Sequence, residues 1–244
     1  MLASSIDRLR GIYTRHGVWG ALGLLPHNAA LALRAWSPRR RLARERELAF
    51  DRRYGLDTAT PAPLSTLGVD GDSVHHAVGY MPSGFDFVLG IIAQLGAQLG
   101  IPYHDYCFVD LGCGKGRALL AASHFPFRRI VGVEFAHRLT AIARANIAAY
   151  GPPDQRCTRL DVVTDDAGRF ALPDGPLVIY LYNAFDDVVL ARVAANLAAS
   201  LARTPRDVLL IYVNPEHRTV LDRSPCLRMI ADDDGTVIYR ARFS

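Results

Sequence analysis

Ten consecutive residues constrain this chain more than any others: Phe108-Val109-Asp110-Leu111-Gly112-Cys113-Gly114-Lys115-Gly116-Arg117. Phe108, Val109 and Leu111 suit the interior of a strand. Gly112, Gly114 and Gly116 then fall at alternate positions, and Ala118 to Ala122 are good helix formers. The pattern predicts strand, tight turn and helix in succession. Glycine lets backbone pass close to a ligand where a Cβ would clash. A helix starting behind the turn aims its unpaired N–H groups and a partial positive charge at the same place.

The next acid narrows the reading. Arg129 to Glu134 reads as a second buried strand that ends in a carboxylate, twenty positions after Gly114. In a doubly wound sheet such an acid lies beside the first turn and can accept both hydroxyls of a ribose. A dinucleotide turn has the form G-x-G-x-x-G, whereas here Asp110 leads the glycines. Its charge would repel a pyrophosphate and suit a ligand carrying an amino group. A nicotinamide or flavin domain is the competing reading.

Asp110 to Gly116 together with Glu134 resemble the first two motifs of the class I S-adenosylmethionine (SAM) methyltransferases. The likeness covers about residues 80–244. It implies an α/β fold: a Rossmann-like, doubly wound sheet, mostly parallel, closed by a C-terminal antiparallel hairpin. It implies SAM as cofactor and S-adenosylhomocysteine as product. Asp110, Gly112, Cys113, Gly114, Lys115 and Gly116 would form the cofactor loop, Asp110 holding the methionine amine and Glu134 the ribose. After the third strand, Asp165-Asp166-Ala167 resembles the segment that bonds the adenine amine, Asp166 ahead of Asp165. A run of acids opening a helix is the bland alternative there. The strand Leu177–Tyr182 leads into Asn183, which would lie beside the sulfonium, or would merely cap a helix. Tyr80-Met81-Pro82-Ser83 and Tyr182-Asn183-Ala184-Phe185 resemble paired segments of the DOT1-like and ATP-synthase c-subunit lysine methyltransferases. Ser83 and Ala184 depart from that pattern. On this likeness Asn183, Tyr80 and Tyr182 would place the acceptor, a protein side-chain amine or a small molecule. An oxygen acceptor would need a base, for which His75, His76 and His217 are the candidates.

Charge is uneven. The chain of 244 residues carries a net +4. Residues 1–60 hold eleven Arg against five acids, which leaves the remainder slightly acidic. We read 1–60 as a basic helical extension and 61–244 as the SAM-binding domain. Helices are expected at 29–36 and 39–50. Residues 29–53 would present a basic face to an anionic membrane or an acidic protein, or simply to water. A catalytic body without excess basic charge disfavours nucleic acid as partner, although a nucleic-acid base methyltransferase and a SAM-binding scaffold stay open. Val18 to Leu25 is too short to span a bilayer. Cys107, Cys113, Cys157 and Cys226 have no metal-like spacing, so no metal is expected, and reduced thiols suit a cytoplasmic protein. Phe50 to Thr58 reads as an ordered loop over the substrate mouth, with Tyr54 and Asp57 as contacts, or else as a capped connector. Lys115 is the one lysine among 28 basic residues, which suggests that Arg does not fit there.

Overall fold

The computed structural model describes residues 38–63, 67, 79–182, 185–233 and 235–242, with side chains from residue 41. The chain divides into two compact units, residues 1–49 and 50–244. The division falls earlier than the boundary read at residue 60. Residues 50–59 pack against the glycine turn and so belong to the second unit. The first helix, α1 (Pro38–Tyr54), runs four residues beyond the expected end at Phe50. The helix expected at 29–36 lies outside the described residues.

The second unit is built on a seven-stranded sheet. Its strands are β1 (Cys107–Leu111), β2 (Arg129–Glu134), β3 (Leu160–Thr164), β4 (Leu177–Tyr182), β5 (Val208–Val213), β6 (Leu227–Asp233) and β7 (Thr236–Ala241), in the order β3-β2-β1-β4-β5-β7-β6. The first five run parallel, and β7 is antiparallel to both β5 and β6. This is the expected doubly wound sheet with its closing hairpin. Parallel strands buried on both faces read as continuous apolar runs, which is why β1 and β4 were legible. The strand order reverses between β1 and β4, and a ligand crevice forms at that switch point.

Alternation along the strands supplies two cores. Phe108, Ile130, Val178 and Tyr180 face one side, under α2 (Phe85–Leu99), α3 (Arg117–Ala122) and α4 (His137–Ala149). Val109, Val131, Ile179 and Leu210 face the other, under α5 (Asp187–Arg203) and the single turn α6 (Thr219–Asp222). Helix α2 buries Phe85, Val88, Ile92 and Leu95 at helical spacing. It stops at Gly100, whose φ of 62° is left-handed and whose N–H returns to the Gly96 carbonyl. Gly84, not Ser83, occupies the N-cap position. Among the described residues no helix is long and apolar enough to cross a membrane.

Gly132, in the middle of β2, is where the sheet meets the turn. A Cβ there would lie 2.6 Å from Cys113 Sγ and 2.7 Å from Leu119 Cδ1. Gly132→Ala should therefore lower stability by roughly 1–3 kcal/mol through overpacking. The measurement is the urea midpoint at unchanged m-value. An unmoved midpoint would mean that the turn can retreat from the sheet without cost.

Candidate active site

The turn after β1 takes its shape from three left-handed glycines, with φ of 81° at Gly112, 54° at Gly114 and 84° at Gly116. The N–H groups of Gly112 and Cys113 both donate to the Val133 carbonyl, at 2.8 and 3.0 Å. Glu134 completes the attachment. One carboxylate oxygen accepts the Gly114 N–H at 2.9 Å and the other the Ala136 N–H at 2.9 Å. The acid that ends β2 thus holds the turn that follows β1. The helix behind, α3, is only six residues long and wholly buried.

A cavity of about 260 Å³ opens over this turn. Asp110, Gly112, Cys113, Gly114 and Glu134 line one side. Tyr80, Met81, Ser83, Tyr180, Tyr182 and Phe185 form much of the rest, and Leu67, Arg117, Phe135 and Asn214 also contribute. The sheet register explains the grouping, since Asp110 sits between Gly132 on β2 and Tyr180 on β4. Tyr80 crosses the turn so closely that a Cβ on Gly114 would lie 2.2 Å from its Cδ2. Its hydroxyl donates to the Thr58 carbonyl at 2.7 Å.

Asp110 is the electrostatic anomaly. It is buried, and among the described residues no hydrogen bond or ion pair reaches its carboxylate. Burial first, then the neighbouring Glu134, pushes its pKa up to about 8. Glu134 is also raised by burial, although the N–H groups of Ala136, Gly114 and Phe135 pull the other way. Two carboxylates side by side facing a cavity call for a cation. Burial likewise raises the Tyr80 and Tyr180 phenols and the Cys113 thiol. The Tyr180 hydroxyl donates to Ser83 Oγ at 3.2 Å.

The expected site residues distribute unevenly. Asp110, Gly112, Cys113, Gly114, Glu134, Tyr80 and Tyr182 all line the cavity. Asn183 and Ala184 lie outside the described residues, as do His75 and His76. Lys115 belongs to the turn, but its side chain runs to Asp57 at 2.6 Å rather than into the cavity. Gly116 packs instead on α4, where a Cβ would come within 3.3 Å of Ala143. Asp165, Asp166 and Ala167 are not among the lining residues. The Asp165 carboxylate accepts the Asp166 N–H and the Asp166 carboxylate accepts the Gly168 N–H, both at 2.8 Å. Both acids therefore fasten their own turn, and Ala167 is core. His217 does not line the cavity either. Tyr54 packs obliquely on Phe50 and edge-on against Tyr150, and does not line the cavity. Tyr180 and Asn214 are among the lining residues that the motifs did not mark. Only Asn214 carried a signal, being a polar residue at the carboxyl end of a central strand. Among the described residues no group of His, Cys, Asp or Glu could hold a metal ion.

The residues suit SAM. Asp110 offers a carboxyl with no hydrogen-bond partner among the described residues, which an ammonium would draw into its ionised form. Glu134 spends part of its acceptor capacity on backbone N–H groups and keeps the rest for a diol. The glycine turn gives backbone access between them.

No protein-family model matches the chain, and no curated protein sequence matches it. Several solved structures are similar in chain trace. A SAM-dependent methyltransferase of Methanococcus maripaludis, itself described only by that activity, is 18% identical with a TM-score of 0.47, over 66% of this chain and 87% of that one. Magnesium protoporphyrin IX methyltransferase of Synechocystis with bound SAM is 14% identical with a TM-score of 0.41, over 64% and 78%. An RNA methyltransferase of Salinibacter ruber with S-adenosylhomocysteine is 19% identical with a TM-score of 0.41, over 62% and 89%.

The Asp110 pKa has a testable sign. A carboxyl whose folded value is about 8 keeps its proton where the unfolded chain, ionising near pH 4, has lost it. Its contribution is complete below about pH 4 and is lost as pH rises through 8. The ligand-free protein should therefore lose urea stability across that window. Asp110→Asn should flatten the profile, and a wild-type profile equally flat would contradict the burial of an unpaired Asp110.

Proposed function

We propose that the protein is a SAM-dependent methyltransferase whose acceptor is an amine, a protein side chain ahead of a small molecule. One observation carries the reading: Asp110 and Glu134, two buried carboxylates at adjacent strand ends, face one cavity across a glycine turn. SAM, when bound, would supply a methyl group on a positively charged sulfur. The protein's part is to hold, align and exclude water, because displacement at that carbon needs its partners in line. Asp110 would take the methionine ammonium and Glu134 the ribose hydroxyls. Tyr80, Tyr182 and Phe185 would wall the acceptor channel.

Two features support an amine. The paired segments that resemble lysine methyltransferases contribute Tyr80, Met81, Ser83, Tyr182 and Phe185 to the same cavity as the two acids, and Asn183 lies in sequence between two of them. The phenols of Tyr80 and Tyr180 are donors already engaged with Thr58 and Ser83, and burial keeps them protonated. They serve to orient rather than to take a proton. An amine can lose its proton to water before attack and needs no resident base.

Calorimetry with SAM in buffers of different ionisation enthalpy tests the reading. We expect micromolar binding that at pH 7 releases close to one proton, as the ammonium draws the Asp110 carboxyl into its ionised form. Asp110→Asn should remove the proton release and weaken binding at least about tenfold, the scale of one charge-assisted hydrogen bond. Labelled-methyl transfer should then appear on amines of lysate proteins before metabolites. Absence of SAM binding, with a nicotinamide or flavin bound instead, would return the chain to the dinucleotide reading.

We also propose that the basic arm meets an anionic surface. Arg41, Arg44 and Arg46 of α1 are exposed, which supports that role. Removing residues 1–48 should lower retention on anionic vesicles relative to neutral ones, and equal retention would leave the arm with another purpose.

A further inference from the structure

Two basic side chains rise from alternate positions of the glycine turn, and both are buried. The Lys115 side chain is 4% exposed and that of Arg117 2%. Each reaches an acid at the end of α1 or just beyond it. Lys115 Nζ donates to Asp57 at 2.6 Å and lies 5.6 Å from the centre of the Tyr80 ring. Arg117 Nη1 reaches Asp51 at 3.4 Å and also donates to the Thr58 hydroxyl. Both acids come from one short segment.

That segment is tied internally and to the turn. The Asp51 carboxylate accepts the Thr58 N–H at 2.7 Å, the Thr58 hydroxyl at 2.6 Å and the Ala59 N–H at 2.6 Å. Asn146 of α4 joins segment and turn directly. Its amide donates to the carbonyls of Asp57 at 3.0 Å and Lys115 at 2.9 Å, while its oxygen accepts the Asp57 N–H at 2.9 Å. Tyr80, which covers Gly114, bonds through its hydroxyl to the Thr58 carbonyl.

We infer that residues 50–59 are a clasp on the glycine turn, in which Asp51 and Asp57 are positioning residues acting through Arg117, Lys115 and Tyr80. A turn with three left-handed glycines has much freedom to lose when it orders. Two desolvated cations anchored from outside remove that freedom before a ligand arrives, which lowers the ordering cost of binding. An ordinary surface ion pair would do little of this. Here the cations are buried, and burial draws the Arg117 guanidinium down to about 10. Losing Asp57 would take from the buried Lys115 the carboxylate that its ammonium meets.

The ligand in the test rests on the reading above, but the clasp does not, because the turn contains its own reporter. Cys113, between Gly112 and Gly114, is 4% exposed. Its labelling by a thiol reagent, resolved by peptide mass spectrometry, reports opening of the turn without any ligand. The variants are Asp57→Asn, Asp51→Asn and the conservative Asp57→Glu. Asp207→Asn serves as control, since Asp207 holds Arg240 at 2.8 Å and Tyr106 at 2.6 Å at the opposite end of β5. Asp57→Asn should label Cys113 about tenfold faster and weaken SAM by a similar factor. The KM for SAM should rise while kcat at saturation holds, and Asp57→Glu should restore both. Asp207→Asn should lower the unfolding midpoint and leave Cys113 protected. Unchanged labelling in Asp57→Asn and Asp51→Asn overturns the clasp, as does equal acceleration in the control. Faster labelling with unaltered SAM affinity overturns it too. If the wild type binds no SAM, the functional reading fails and Cys113 labelling alone decides the clasp.

Discussion

One carboxylate holds the centre of this molecule together. Glu134 ends β2, and its two oxygens take the N–H groups of Gly114 and Ala136. The first bond fixes the turn that follows β1, and the second fixes the approach to α4. Strand, turn and helix from two successive βα units thereby share a single anchor. A buried carboxylate is costly unless its lone pairs are used, and here backbone donors use them. The cavity exists because the remaining acceptor capacity faces outward, beside Asp110, which has no such relief.

Much of this architecture was legible because parallel strands must be apolar on both faces. The runs at β1 and β4 have few other uses, and the alternate glycines leave one place for the turn. The bounds of β2 and β4 were read without error for the same reason. The site was legible where backbone geometry demands a residue type, as at Gly112, Gly114 and Glu134. It was illegible where a residue's role depends on what crosses above it. Tyr180 looks like any core aromatic until Ser83 is seen opposite its hydroxyl. Ser83 looks like a helix cap, yet Gly84 occupies the cap position. Asp165 and Asp166 show a different ambiguity. An acid after a strand can serve a ligand or its own backbone with the same local sequence, and here both carboxylates are bonded to nearby N–H groups.

The segment 50–59 is the clearest case of meaning hidden from local pattern. Asp57 and Asn146 are 89 positions apart, and Arg117 and Asp51 are 66 apart. No periodicity links such pairs. Charged and aromatic residues in an irregular stretch suggest exposure, whereas Asp51 and Thr58 are buried and Tyr54 packs among Phe50 and Tyr150. The lone lysine was the one hint. A compact ammonium on a flexible stem reaches a single carboxylate oxygen beside an aromatic ring, where a planar guanidinium would need a wider slot.

That lysine has a consequence for handling the protein. Amine-directed chemistry of any kind, whether acetylation, reductive alkylation or an ester label, finds one ε-amine in the whole chain. That amine is 4% exposed and bound to Asp57. The folded surface is therefore nearly inert to such reagents outside the N-terminal amine. Label that does reach Lys115 marks molecules in which the pair has parted.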